Sequence, residues 1–256
     1  MRLAVLTYSL IAYIIGVASI VYTIPWLAGI DCPESIDTVT TASFAEALVI
    51  DTALMFIFAL QHTVQARLFF KKFFNRFAHH SIERASYVLL SGLGFGLMFW
   101  QWRGVEGSWV WRVEHPVGAS ALWALCALGW VLALMAIAMK NHLHFMGLRQ
   151  GWLFFRDKLV TPEPLKTSIL YSLVRHPMYF GFLLAFWATP TMSMGHFFFA
   201  ALMTIYTLVG IQFEERKIIS FIGSKYEQYQ ERVPMLIPFL RLPTTRSVHK
   251  PSPHQS

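Results

Sequence analysis

Apolar residues run almost unbroken through 3–30, 44–60, 87–102, 120–139 and 194–213, and polar or charged residues gather between these runs. A helix needs about 20 apolar residues to cross a hydrocarbon layer of ~30 Å, so each run predicts a membrane-spanning helix. A sixth run, 179–190, is short for a crossing. It predicts one arm of a helical hairpin over 179–213, bent at "ATPTMSMG", where Pro190 lacks an amide proton and Gly195 tolerates a turn. The opening "MRLAVLTYSL" starts a run too long for a signal peptide and lacks a small-residue cleavage site, so it is read as the first span.

Two connecting stretches carry a different pattern. "VQARLFFKKFFNRF" mixes Lys and Arg with five Phe, the composition of a helix lying at the headgroup boundary. In "EERKIISFIGSKYEQYQERVP", Ile218, Ile222, Tyr226 and Tyr229 recur at helical spacing among charges, which also predicts an interfacial helix.

Composition agrees with the pattern. With 55% apolar and only 14% charged residues, 256 residues hold more hydrophobic side chain than a soluble core of this size hides. The expected class is all-α: a polytopic integral membrane bundle of five to six transmembrane segments, with a C-terminal helical hairpin and interfacial helices. One membrane-embedded domain is expected over 1–240, followed by a disordered tail over 241–256.

Charge sets the orientation. With the N-terminus inside, 19 of the 21 Lys and Arg face the cytoplasm and only Arg103 and Arg112 lie outside. This fits the positive-inside rule, an even number of crossings and two cytoplasmic termini. The net charge of +7 therefore describes orientation, and no soluble basic face suggests a nucleic-acid partner. Cys32 in an outer loop and Cys126 in a span are the only cysteines, so neither a disulfide framework nor a Cys-based metal site is expected.

The candidate chemistry sits at one membrane boundary. Glu214 and Glu215 stand where the last run leaves the membrane, and Arg175 and His176 stand where the hairpin arm enters it. Folding the hairpin brings both pairs to the same face, where polar groups are costly unless they serve a ligand or each other. Two readings compete there: boundary anchors that pair among themselves, or walls of a site for a charged ligand. His142 and His144 form an H-x-H without a further ligand at suitable spacing, so no metal site is expected. Haem through His62, His176 or His196 is the weaker alternative.

These residues carry a resemblance. "SLVRHPMYFGFLLAFWATPTM" and "GIQFEERKIISFIGSKYEQYQERVPMLIP", within about 165–240, resemble the C-terminal region of the isoprenylcysteine carboxyl methyltransferase and phospholipid methyltransferase superfamily. The shared features are Arg-His-Pro-x-Tyr-x-Gly, Glu-Glu and Gly-x-x-Tyr-x-x-Tyr. "LQHTVQARLFFKKFF", "SIERASYVLLSGLGFGLMFWQWR" and "HLHFMGLRQGW" extend the likeness upstream, toward bacterial, NnrU-like members.

The resemblance implies an enzyme of the bacterial inner membrane that uses S-adenosylmethionine to convert methanethiol to dimethyl sulfide. Its partners would be a small thiol and membrane lipid, with no nucleic acid and no obligate protein partner. It places Tyr171, Arg175, His176, Tyr179, Gly181, Glu214 and Glu215 in the cofactor site, with Arg175, Tyr179 and His62 as candidates for the chemistry. Ile169 departs from the superfamily, whose members often carry glycine there. A sterol-reductase-like NADPH enzyme and a haem- or metal-binding NnrU-like protein are the alternatives. No Rossmann-type G-x-G-x-x-G joins a strand to a helix, so a soluble methyltransferase domain is not expected.

Overall fold

A computed structural model describes residues 1–30, 32–104, 109–160 and 169–240. The expected tail over 241–256 lies outside the described residues. The chain is an all-helical membrane bundle. Four of the described helices are long and apolar enough to cross a membrane: α1 (Arg2–Ala28), α2 (Phe44–Gln65), α5 (Pro116–Met139) and α10 (Met194–Ile222). Between α2 and α5 lie the ten-residue α3 (Leu68–Phe77) and the 19-residue α4 (Glu83–Gln101). Glu83 and Arg84 make the first turn of α4 polar, and the helix packs between α1 and α2.

After α5 come three short helices, α6 (His142–Phe145), α7 (Leu148–Phe155) and α8 (Ile169–Leu173), and then α9 (Pro177–Trp187). The hairpin expected over 179–213 is α9 followed by α10. Its bend is a strand as well as a turn: β2 (Thr191–Ser193) pairs antiparallel with β1 (Trp109–Arg112), with Trp109 opposite Ser193 and Arg112 opposite Thr191. The hydropathy pattern gives no sign of this pairing.

Local chemistry explains where the helices begin and end. Ser43 caps α2 by accepting from the Glu46 amide at 3.3 Å, and Ser193 caps α10 by accepting from His196 at 3.1 Å. Pro177 opens α9 at the first position, where a missing N–H costs nothing. The eleven residues of α9 pack along α5 because both helices present glycine at the contact. A Cβ on Gly129 would fall 2.7 Å from the Gly181 carbonyl oxygen, and one on Gly181 would fall 2.6 Å from that of Gly129. Small residues let helix backbones close in this way inside a bilayer.

The last long helix overshoots its apolar run. α10 has 29 residues, about 43 Å at 1.5 Å per residue, and continues through the charged stretch after Phe213. It stops at Gly223, whose φ of 65° bends the chain into α11 (Ser224–Arg232). Glu214 and Glu215 therefore stand inside a helix that projects beyond a single crossing.

Candidate functional site

Arg175 and Glu215 form the centre of a buried polar knot. The Arg175 Nε donates to Glu215 Oε1 at 2.7 Å, Nη2 reaches Oε2 at 3.4 Å, and Nη1 donates to the carbonyls of Gln230 at 2.9 Å and Val233 at 3.1 Å. Glu215 also meets His176 Nε2 at 3.0 Å and accepts from Gln230 Nε2 at 2.8 Å. Backbone bonds complete the knot, since Arg175 N donates to Pro234 O at 2.9 Å and His176 N to Met235 O at 3.1 Å. One arginine thus fastens α9, α10, α11 and the segment after it. Its donors face protein acceptors, so its effect on any ligand runs through the wall it holds.

Glu214 faces another way. Consecutive helical residues point about 100° apart, so the acidic pair divides its work. Glu214 lines a cavity of about 840 Å³ and accepts from the Tyr179 hydroxyl at 3.1 Å. The Tyr179 ring is stacked with His176 at 5.7 Å between centroids. Around the same space stand Arg84 from α4, Lys140 after α5, Tyr171 from α8, and Ile218, Ile222, Tyr226 and Tyr229 from α10 and α11. The last four are the stripe expected at a lipid interface. The Gly223 bend turns their common face onto the cavity instead.

The tyrosines of this wall are neutral donors. Burial pushes the Tyr229 hydroxyl up to about 12, with the Arg175 charge pulling the other way, and burial raises Tyr226 as well. Tyr229 donates to the Tyr171 carbonyl at 2.5 Å. The Tyr171 hydroxyl is buried with no hydrogen-bond partner among the described residues, and Lys140 Nζ sits 5.7 Å from the Tyr171 ring centroid. An unpartnered buried hydroxyl at a cavity wall is a place for a ligand's polar group.

The expected site residues therefore separate. Tyr171, Arg175, His176, Tyr179 and Glu214 line the cavity, and Glu215 stands behind it. Gly181 is buried against α5 and serves the helix contact. His62 lies apart from the cavity lining, in a second polar group. Its Nδ1 is 2.8 Å from the Tyr206 hydroxyl, and its Nε2 is 2.5 Å from the Tyr87 hydroxyl. Ile169 is exposed, and residues 167 and 168 lie outside the described residues. His196, the remaining haem candidate, is fully buried with Nε2 on the Phe186 carbonyl at 2.9 Å.

Several cavity residues escaped the sequence reading, Arg84, Lys140 and Gln150 among them. Arg84 enters there only in the count of cytoplasmic Lys and Arg, yet it belongs to the first turn of α4 and lines the cavity. The available signal was "SIERASYVLL", where Glu83 and Arg84 directly precede an apolar run in helical register.

Comparison with known proteins gives the geometry a family. No family model matches the chain, and no solved structure matches it. Methanethiol S-methyltransferase of Crocosphaera subtropica is 43% identical over 239 residues, 93% of this chain and 93% of that protein. Methanethiol S-methyltransferase 1 of Bradyrhizobium diazoefficiens is 44% identical over 234 residues, 91% of this chain and 82% of its own length. Nurim of Xenopus laevis is more distant, 27% identical over 178 residues, 66% of this chain and 62% of its own. With the first two relatives matched along nearly the whole chain, this protein belongs to the methanethiol S-methyltransferase family.

Proposed function

We propose that the chain transfers the methyl group of S-adenosylmethionine to the sulfur of methanethiol, forming dimethyl sulfide. The observation that carries the cofactor part is the 840 Å³ cavity, in which a carboxylate, Glu214, stands among arginine, lysine and tyrosine side chains. That volume suits a ligand of cofactor size, and the donor set suits its groups. A carboxylate, an ammonium, ribose hydroxyls and a sulfonium call for cations, acceptors and aromatic faces. The names of the relatives support the thiol as acceptor.

When bound, S-adenosylmethionine supplies a methyl group on a positively charged sulfur, whose transfer to the thiol leaves S-adenosylhomocysteine, dimethyl sulfide and the thiol's proton. The chain's residues divide the remaining tasks. Glu214 accepts from the ammonium or ribose, and Tyr179 offers its ring to the sulfonium end while its hydroxyl stays on Glu214. Arg175 and Glu215 act as positioning residues that hold this wall in register. The thiolate is the nucleophile, so the proton needs an acceptor. With the Tyr179 hydroxyl committed to Glu214 and His62 outside the cavity lining, this reading has methanethiol react as the thiolate, its proton left to solvent. Apolar helices around the site keep water out, which favours a reaction that cancels opposite charges.

The same reading places the cavity end at the cytoplasmic face of the inner membrane, where the cofactor is made and the basic residues gather. A reporter fused after Ser256 should be active only as a cytoplasmic fusion. Calorimetry on the purified protein, with headspace detection of dimethyl sulfide from cells given methanethiol, tests the chemistry. The expected result is S-adenosylmethionine binding and thiol-dependent dimethyl sulfide. Binding of NADPH or haem without S-adenosylmethionine would overturn the reading.

A further inference from the structure

Resting on the methyltransferase reading above, a question of charge remains: which cation meets the cofactor's carboxylate? The Arg175 guanidinium is engaged by Glu215 and by the carbonyls of Gln230 and Val233. Lys71 is paired with Glu83 at 2.6 Å, and Lys225 is exposed. Lys140 reaches the cavity as a flexible ammonium over the Tyr171 ring.

Arg84 differs from all of these. Its guanidinium carbon lies 4.8 Å from the ring centroid of Tyr87 and 4.8 Å from that of Phe145, and Nε donates to the Phe145 carbonyl at 2.6 Å. These three contacts fix the plane of the fork. Among the described residues, no hydrogen bond uses Nη1 or Nη2, and the side chain lines the cavity that holds Glu214. A planar, pre-oriented fork with two free ends is the geometry that grips a carboxylate bidentately, which an ammonium does not reproduce.

We propose that Arg84 binds the α-carboxylate of the cofactor's amino-acid end while Glu214 takes the ammonium. The zwitterion is then held between opposite charges from α4 and α10, two helices far apart in sequence, so the cofactor itself ties them together. A carboxylate held by charged hydrogen bonds is worth roughly ten- to a hundredfold in affinity.

The test compares two ligands on the full-length protein in detergent by calorimetry. S-adenosylhomocysteine carries both the carboxylate and the ammonium; its decarboxylated analogue keeps the ammonium, thioether and adenosine. The wild type should prefer S-adenosylhomocysteine by about tenfold or more. Arg84→Met, which keeps a long stem between Tyr87 and Phe145, should erase that preference without weakening the analogue. Equal binding of the two ligands by the wild type would overturn the assignment without any variant. A preference that survives in Arg84→Met would also overturn it, as would an equal loss of both ligands, which marks a structural arginine. A wild type that binds neither ligand would instead sink the cofactor reading on which the assignment rests.

Discussion

The two ends of the bundle use the same aromatic-rich composition in opposite ways. At the β1–β2 end, rings pack onto rings: the Trp26 centroid lies 5.2 Å from Phe99, 5.7 Å from Trp102 and 5.5 Å from Phe199. Trp26, Phe199, Ile36 and Met192 are fully buried there. Several polar groups there are closed by protein partners, with Trp111 Nε1 on the Thr189 carbonyl at 2.9 Å, the Arg103 amide on Asp51 at 3.0 Å, and Ser193 on Asp37, while the Trp26 and Trp102 indole N–H groups are packed among rings with no hydrogen-bond partner among the described residues. At the other end, Tyr171, Tyr179, Tyr226 and Tyr229 edge a cavity, and the buried charges are Arg175 and Glu215. Phenylalanine and tryptophan fill space, whereas tyrosine brings a hydroxyl that needs a partner. One end is built to exclude a guest and the other to receive one, so disturbing the first should cost stability and disturbing the second should cost affinity.

The largest expected effect breaks the sealed end. Phe199→Ala empties a fully buried position between Trp26, Trp102 and Phe186 and should destabilise the protein by about 3–5 kcal/mol. Thermal unfolding in detergent would show it, while the molecules that remain folded should bind S-adenosylhomocysteine normally. An affinity loss matching the stability loss would mean that the two ends are not separable.

Glu215→Gln probes the border between them. It leaves the Arg175 charge buried without its counter-ion, a loss of about 3 kcal/mol that belongs to stability although the residue stands beside the cavity. Unfolding temperature should fall at every cofactor concentration. Unchanged stability would reduce the knot of Arg175 and His176 to a boundary ornament.

Glu214→Gln should do the reverse. The amide oxygen can still accept from Tyr179, so the fold is kept, but the negative charge offered to the cavity is gone. Affinity for S-adenosylmethionine and S-adenosylhomocysteine should drop together by roughly ten- to a hundredfold, about 1.5–3 kcal/mol, because both carry the same amino-acid end. The apparent affinity for thiol should suffer less. Calorimetry on the two neighbouring variants, one losing stability and the other affinity, is the sharpest form of the comparison.

Much of this architecture was legible before any coordinates. The apolar runs 3–30, 44–60, 120–139 and 194–213 coincide with α1, α2, α5 and α10, because lipid exposure writes itself into composition. The meeting of Arg175 and His176 with Glu215, one of the acidic pair, followed from the hairpin alone. What stayed hidden was what each side chain faces. Hydropathy marks where lipid stops, so α10 seemed to end at Phe213, whereas the helix ends only where Gly223 breaks it. The Ile218 and Tyr226 stripe read as membrane-facing because periodicity reports a covered face without saying what covers it. The β1–β2 pairing and the cavity that Arg84 lines depend on segments distant in sequence; the local pattern marks only that Arg84 opens α4.

The smallest expected effect separates shape from charge within the receiving end. Tyr229 donates its hydroxyl to the Tyr171 carbonyl, and that bond holds α8 against α11 along the rim of the cavity. With its hydroxyl raised to about 12, Tyr229 stays neutral at working pH, so Tyr229→Phe removes one neutral hydrogen bond and no charge. The loss should be ~1 kcal/mol, a few-fold in cofactor affinity, since the ring remains and only the placement of Tyr171 relaxes. Because no proton is lost from Tyr229 below pH 9, the wild-type to variant ratio should stay flat between pH 6 and 9, roughly three units below the raised value. A ratio that changes across that range would show that the hydroxyl titrates with the ligand, and would move Tyr229 from the frame of the cavity into its chemistry.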